Sequence, residues 1–331
     1  MPNTGQRTLD NWASPSRGHH TQHTSSSGQT GSMPGKRPRD GQTFDQRANL
    51  AAVARETKAK LPDILKELPN IQAAKSEALY LNSLPPLQAS DCPRRTPSGK
   101  TMIKIVNDDS FNAAIDLAAS KYPASPGRVA VLNMASHANP GGGWLKGAKA
   151  QEEALCYRSS LSLSLDRRHY PFKQLMGLYS PDVVVIRSDM ASGHKLLMPG
   201  FLVEDLPVVS VLSIAALRCP KTNRVRFNTP DGQVHEKLVY ANPSDRGLTK
   251  AKMRLCLRMA AQRNHGLLVL GALGCGAFKN PKEEVAQCWL EVLREQEFQG
   301  GWWEEIWFAV FDTRREGNFE VFEDILGGQE V

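Results

Sequence analysis

The chain is predicted to fold as an α/β sandwich around a largely parallel or mixed central sheet. Short β-branched and aliphatic runs alternate with longer amphipathic segments from residue 101 to residue 326. Two glycine-rich stretches, 139–143 and 274–280, each follow such a run and precede a helical segment. Residues 1–45 are rich in Ser, Gly, Gln, Thr, Pro and His, with little that could form a core. The predicted organisation is a disordered tail over 1–45, a helical extension with an irregular connection over 46–100, and an α/β domain over 101–331.

The elements follow in order. Residues 46–68 are expected to be helical, because Ala52, Val53, Leu61, Ile64, Leu65 and Leu68 recur at three- and four-residue intervals among charges. Several prolines leave 69–100 irregular. Residues 101–106 alternate as a strand does, and Asn107, Asp108, Asp109 and Ser110 offer N-cap chemistry to a helix over 111–120. The apolar run 129–135 predicts a buried strand, then the first glycine loop, then a helix over 153–165. Strands are expected over 182–186 and 208–214, and a helix over 248–264. A strand over 267–271 leads into the second glycine loop. Pro281 suits the first turn of a helix reaching about residue 295. A strand over 305–311 and a short helix over 319–326 close the chain, and no internal repeat is visible.

Composition bounds the function. With 331 residues, 40% hydrophobic and 23% charged, the chain reads as an ordinary soluble globular protein. No apolar stretch approaches the roughly 20 residues a membrane helix needs, and the polar N-terminus argues against a secretory signal. The cysteines Cys92, Cys156, Cys219, Cys256, Cys275 and Cys288 are dispersed without a Cys-x-x-Cys pair. Reduced thiols in an intracellular setting are expected, with no metal site. A formal charge of +7 suits a polyanionic partner or a solubilising surface excess. No compact run of Lys and Arg interleaved with aromatics argues for nucleic acid.

The tail carries two short signals. Gln6, Leu9 and Trp12 have the spacing of the peptide that docks on a sliding clamp, although Ala13 stands where a second aromatic is usual. Residues 36–39, Lys-Arg-Pro-Arg, read as a nuclear-import cluster or as a solvated charge patch. Together they suggest a nuclear or nucleocytoplasmic protein.

Chemistry concentrates in the two glycine loops. Gly141, Gly142 and Gly143 let a phosphate approach main-chain N–H groups that side chains would shield. Ligands of open α/β sheets bind outside the carboxyl ends of the strands, and a helix N-terminus beside the second loop suits an anion. Two such loops on neighbouring strands would clasp a diphosphate. Glu152 and Glu153 then stand at the start of the next helix. They cannot both point the same way, so one should enter the cleft while the other bonds substrate hydroxyls or caps the loop; acids in a first turn also complement the helix dipole. Gln151 adds a polar group. Asn139 flanks the loop, and Asn133 lies inside an apolar strand, where its amide needs a partner in the ligand or the loop. Phe278 ends the second loop as a core aromatic or, more in keeping with its small neighbours, as a ring that stacks on a ribose or base.

The run Asn133-Met-Ala-Ser-His-Ala-Asn-Pro-Gly-Gly-Gly143, followed by Gln151-Glu-Glu-Ala-Leu-Cys-Tyr-Arg-Ser-Ser160, resembles the signature of the microbial-type poly(ADP-ribose) glycohydrolases. Gly271-Ala-Leu-Gly-Cys-Gly-Ala-Phe-Lys-Asn-Pro281 resembles that family's second loop. The likeness spans about residues 46–326. It implies a macrodomain-like three-layer α/β/α sandwich that binds ADP-ribose and hydrolyses the polymer without a metal or cofactor, acting as a monomer. It further implies Glu153 as the catalytic acid and Glu152 as its partner on the ribose hydroxyls. Gly141 to Gly143 and Gly274, Cys275, Gly276 and Ala277 would line the diphosphate, with Phe278 packing on the distal ribose. His137, and a long polar stretch over 219–237, depart from the pattern. Partial burial beside Glu152 is expected to raise the pKa of Glu153, fitting it to protonate the leaving ribose oxygen and then activate water. The alternatives are a reader that binds ADP-ribose without cleaving it and a hydrolase of single protein-linked units.

Overall fold

A computed structural model describes residues 41–121, 127–228 and 232–331. The clamp-type spacing at Gln6, Leu9 and Trp12 and the basic cluster at 36–39 lie outside these residues. The helices are α1 Gly41–Lys66, α2 Ser110–Lys121, α3 Gln151–Arg158, α4 Leu161–Ser164, α5 Pro243–Gln262, α6 Lys282–Leu293 and α7 Asn318–Leu326. The strands are β1 Glu77–Tyr80, β2 Ile103–Val106, β3 Ala130–Met134, β4 Met176–Val184, β5 Val208–Ile214, β6 Thr222–Asn228, β7 Val234–Tyr240, β8 Leu267–Leu270 and β9 Glu305–Ala309.

Seven strands form one sheet in the order β1-β4-β5-β3-β8-β9-β2. The stretch from β5 to β2 is parallel, and β4 runs antiparallel to both β5 and β1, so the sheet is mixed. Alternation along each strand divides the core. Leu268 and Leu270 of β8 face α5, α6 and α7, while Leu267 and Val269 face α1, α2, α3 and α4. The result is the expected three-layer sandwich.

The N-terminal helix α1 is no appendage. Leu50, Ala54, Thr57, Leu61 and Ile64 are buried at four- and three-residue intervals, a stripe somewhat different from the one the sequence suggested. Thr57 donates its hydroxyl to the Tyr157 carbonyl at 2.9 Å, which ties α1 to the end of α3. A Cβ on Gly147 would run into the Arg47 carbonyl, so α1 lies directly on the chain that follows the first glycine loop. Truncating Leu61 to Ala would cost about 2–5 kcal/mol through the cavity it leaves.

Several elements differ from expectation for visible reasons. The predicted helix over 153–165 is broken into α3 and α4, because Ser159 bridges Val185 and the Ser160 N–H bonds the Val184 carbonyl. Strand β4 begins at Met176, earlier than expected, and changes register between Ser180 and Val183 around Pro181, which has no N–H to donate. Pro281 is the N-cap of α6 rather than its first helical residue. Strand β1 and the β6–β7 hairpin arise within stretches read as irregular or merely polar.

Candidate active site at the carboxyl edge of the sheet

Strands β3 and β8 are parallel neighbours, with Ala130 opposite Leu268 and Val131 opposite Val269. The chain after each therefore leaves the same edge of the sheet, and the two glycine loops emerge side by side. The chain after β5 joins them: Asn280 donates to the Leu217 carbonyl at 2.7 Å and to the Gly274 carbonyl at 3.1 Å.

The first loop is wrapped around the two acids. Gly141 and Gly142 have φ of +67° and +58°, a left-handed backbone that favours glycine. A Cβ on Gly142 would sit against Glu153 Oε1, so no side chain fits there without moving the carboxyl group. Gly143 N–H donates to Glu153 Oε1 at 2.8 Å, and Ser136 N–H donates to Glu152 Oε2 at 2.8 Å. Gly142 N–H is spent on the Asn139 carbonyl at 2.9 Å. Both acids are buried, and each accepts a main-chain amide of the chain that follows β3. Gln151 lies behind them, accepting from Met134 N–H at 2.9 Å and donating to the Leu132 carbonyl at 2.7 Å and to Ser110 Oγ at 3.1 Å. It pins the first turn of α3 to the end of β3. The Tyr157 hydroxyl lies 2.8 Å from the carbonyls of Trp144 and Ala148, bracing the far side of the loop. Asn139 itself is exposed on the crest.

Burial in this nest pushes the Glu152 carboxyl up to about 8, with the charge of Glu153 adding to it and the Ser136 N–H and Asn133 amide opposing it. Three polar atoms close by have no partner among the described residues: Glu152 Oε1, Asn133 Oδ1 and the Tyr170 hydroxyl. Tyr170 belongs to this neighbourhood, since burial and then the Glu152 charge push its phenol above the ordinary range. An unpaired buried polar atom costs about 1–3 kcal/mol, which ligand hydroxyls would recover here. Asn133 is held by its amide, which donates to Ser213 Oγ at 3.0 Å across the β3–β5 pair.

The second loop is built differently. Gly274 has φ of +77°, and a Cβ there would lie 2.6 Å from Ala216 Cβ, so it permits a close crossing. The N–H groups of Gly276, Ala277 and Phe278 have no acceptor among the described residues, and Gly276 and Ala277 are exposed. A Cβ on Gly276 would meet nothing within 4 Å. The Cys275 side chain turns into the core beside α6, leaving only its backbone to the loop surface. Phe278 is half-buried and belongs to no core cluster of the described residues.

The structure therefore brings Asn133, Gly141, Gly142, Gly143, Gln151, Glu152 and Glu153 together, with Gly274 to Phe278 on the neighbouring strand end. Sequence reasoning missed Ser136, Ser213, Tyr157 and Tyr170. Ser213, a hydroxyl inside an apolar strand, was a detectable signal of the same kind as Asn133. Among the described residues no group of three or more metal-ligating side chains occurs, and no helix is long and apolar enough to cross a membrane. A cavity of about 260 Å³ near Arg128 and Asp205 opens at the amino end of β3 and β5 and contains neither glycine loop nor paired acids.

Fold and site together define a macrodomain-like α/β/α protein with acids and open amides at one sheet edge. Residues 39–188, which contain the first of the two motifs, match the family described as microbial-type PARG, catalytic domain. The poly(ADP-ribose) glycohydrolase of Thermomonospora curvata is similar at 25% identity over 84% of this chain and 99% of that one, with a TM-score of 0.64. The same enzyme bound to the inhibitor ADP-HPD is similar in fold, at 24% identity and a TM-score of 0.62. The Deinococcus radiodurans poly(ADP-ribose) glycohydrolase in complex with ADP-ribose is 28% identical over 76% of this chain and 94% of that one, with a TM-score of 0.57. No curated protein sequence matches the chain.

Proposed function

We propose that the chain is a glycoside hydrolase that cleaves the ribose–ribose O-glycosidic bonds of poly(ADP-ribose) and releases ADP-ribose. One observation carries the reading. Two adjacent buried glutamates are held by main-chain amides of one glycine loop, while free amides of a second loop stand at the next strand end. A pyrophosphate at Gly276, Ala277 and Phe278 sets the attached ribose toward the acids, where Asn133, Glu152 and Tyr170 offer partners to its hydroxyls.

Glu153 is assigned the proton transfers. Burial keeps a proton in this nest on Glu152. Protonated Glu153 gives its proton to the leaving ribose oxygen as the C–O bond breaks. The anomeric carbon then gains oxocarbenium character, offset by the nearby diphosphate. Water adds to that carbon and returns its proton to Glu153, so one carboxylate serves both steps. Separate acid and base carboxylates flanking the bond do not fit two neighbours in one helical turn.

The test is release of ADP-ribose from the polymer by wild type and Glu153→Gln, with calorimetric titration of ADP-ribose against both. Loss of release with binding retained supports the assignment. Binding by wild type without release would make the domain a reader. Release only from singly modified protein would make it a hydrolase of protein-linked units.

A further inference from the structure

The hairpin β6–β7 leaves the carboxyl end of β5 and returns to α5, and its base is stitched to the second glycine loop. Cys219 N–H donates to the Phe278 carbonyl at 2.8 Å, and Asn280 donates to the Leu217 carbonyl at 2.7 Å. The Tyr240 hydroxyl donates to Asn280 Oδ1 at 2.9 Å. Above that base the strands stand in water. Val225 and Phe227 of β6 are 40% and 42% exposed, and Arg218, Lys221, Arg224 and Arg226 are exposed as well.

The net charge on this arm is positive. Arg218, Lys221, Arg224, Arg226 and Lys237 stand against Asp231 and Glu236 between residues 218 and 240. Glu236 is engaged by both Arg224, at 3.0 Å, and Arg226, at 2.6 Å. Register separates the faces: Val225 lies opposite Lys237 and Phe227 opposite His235, so these four side chains share one face. The Phe227 and His235 rings are 5.9 Å apart at 33°, and Lys237 Nζ lies 5.7 Å from the Phe227 ring centre. A ring kept in water among cations, with no core to join, has the makings of a stacking platform for a base attached to phosphates.

We propose that this face of the hairpin binds the ADP-ribose units of the polymer that lie beyond the unit held by the glycine loops. The inference rests on the poly(ADP-ribose) reading above. Phe227 stacks on an adenine, while Lys237, Lys221 and Arg218 meet pyrophosphate charges. The occupant is the polymer because the arm is hydrogen-bonded to the loop whose free amides suit a pyrophosphate, so a polyanion leaving that loop meets the basic face without a gap. Affinity then rises with polymer length, although the cleaved bond is unchanged.

The experiment compares binding of ADP-ribose, of long poly(ADP-ribose) and of a single-stranded DNA oligonucleotide of similar charge. The full chain carries Glu153→Gln so that the polymer survives, with and without Phe227→Ala and Lys237→Gln. Expected is a loss of about tenfold or more in polymer affinity when the stacking ring is removed. The slope of log affinity against log salt should fall by about 0.7 for the lost cation. ADP-ribose binding stays unchanged, Phe227→Trp with Lys237→Arg restores the polymer affinity, and in the wild-type background KM for long polymer rises while kcat holds. Polymer affinity insensitive to the double substitution would overturn the proposal, as would DNA bound as tightly as the polymer through the same residues. If the unsubstituted chain neither binds ADP-ribose nor cleaves polymer, the functional reading falls and takes the arm with it; if it does both and only the hairpin variants are silent, the arm alone falls.

Discussion

The two glycine loops look alike in sequence and do opposite things with their backbones. Around Gly142 the main-chain N–H groups are consumed by Asn139, Glu152 and Glu153, and a side chain would strike a carboxyl oxygen. Around Gly276 the N–H groups are free and a side chain would meet open space. Glycine in the first loop is needed by the protein itself, to seat its acids. In the second, Gly276 leaves its amide open, where the proposed function seats a pyrophosphate. A count of glycines cannot tell a loop whose amides are spent inside the protein from one whose amides stay open; the destination of each amide can.

That contrast ranks the substitutions. Glu153→Gln should reduce release of ADP-ribose by about 10³-fold, within the range for loss of a general acid–base group. The amide oxygen of Gln can still accept from Gly143 N–H, so ADP-ribose affinity should stay within a few-fold in calorimetry. A variant retaining a tenth of wild-type turnover would break the division of labour between the loops.

Next comes pH. With Glu152 raised from 4.5 to about 8, the folded protein keeps a proton that the unfolded chain gives up. Its contribution to stability is fully present below pH 4.5 and is lost as pH rises through about 8. At roughly 1.4 kcal/mol per pH unit, the loss is on the order of 5 kcal/mol, and Glu152→Gln should flatten that part of the curve of denaturation midpoint against pH. A curve of the same shape in both proteins would place the retained proton elsewhere.

Gly142→Ala should cost about 1–2 kcal/mol for its left-handed backbone and lower turnover further by displacing Glu153, seen together as a lower melting temperature and a lower kcat. Gly276→Ala is the smallest and most selective change. Gly276 is not in the left-handed region, so melting should be unaffected, while ADP-ribose affinity falls about tenfold. Equal behaviour of the two alanine variants would erase the comparison.

Much of this was legible in the sequence. The alternation of apolar runs and amphipathic segments gave away the layered fold, and both loops were marked by glycines at the ends of such runs. The position of Glu152 and Glu153 at a helix start was likewise readable. What was hidden depends on contacts distant in the chain. That burial raises the Glu152 carboxyl depends on segments distant in the chain closing over it, and Tyr170, whose phenol feels that charge, has no local signature. The break between α3 and α4 follows from Ser159 and Ser160 pairing with the end of β4. The β6–β7 hairpin was read only as a polar stretch, because Val225 and Phe227 alternate with Arg224 and Arg226 over too few residues to mark a buried strand, and both faces are exposed.

The most direct test of the central claim is amide hydrogen exchange on the Glu153→Gln protein during titration with ADP-ribose. The account predicts that amides of Gly276, Ala277 and Phe278 gain protection with the same midpoint as the calorimetric binding curve. Those of Gly142 and Gly143 should already be protected without ligand. Protection appearing at 142–143 alone, or exchange at 276–278 unchanged at saturation, would contradict it.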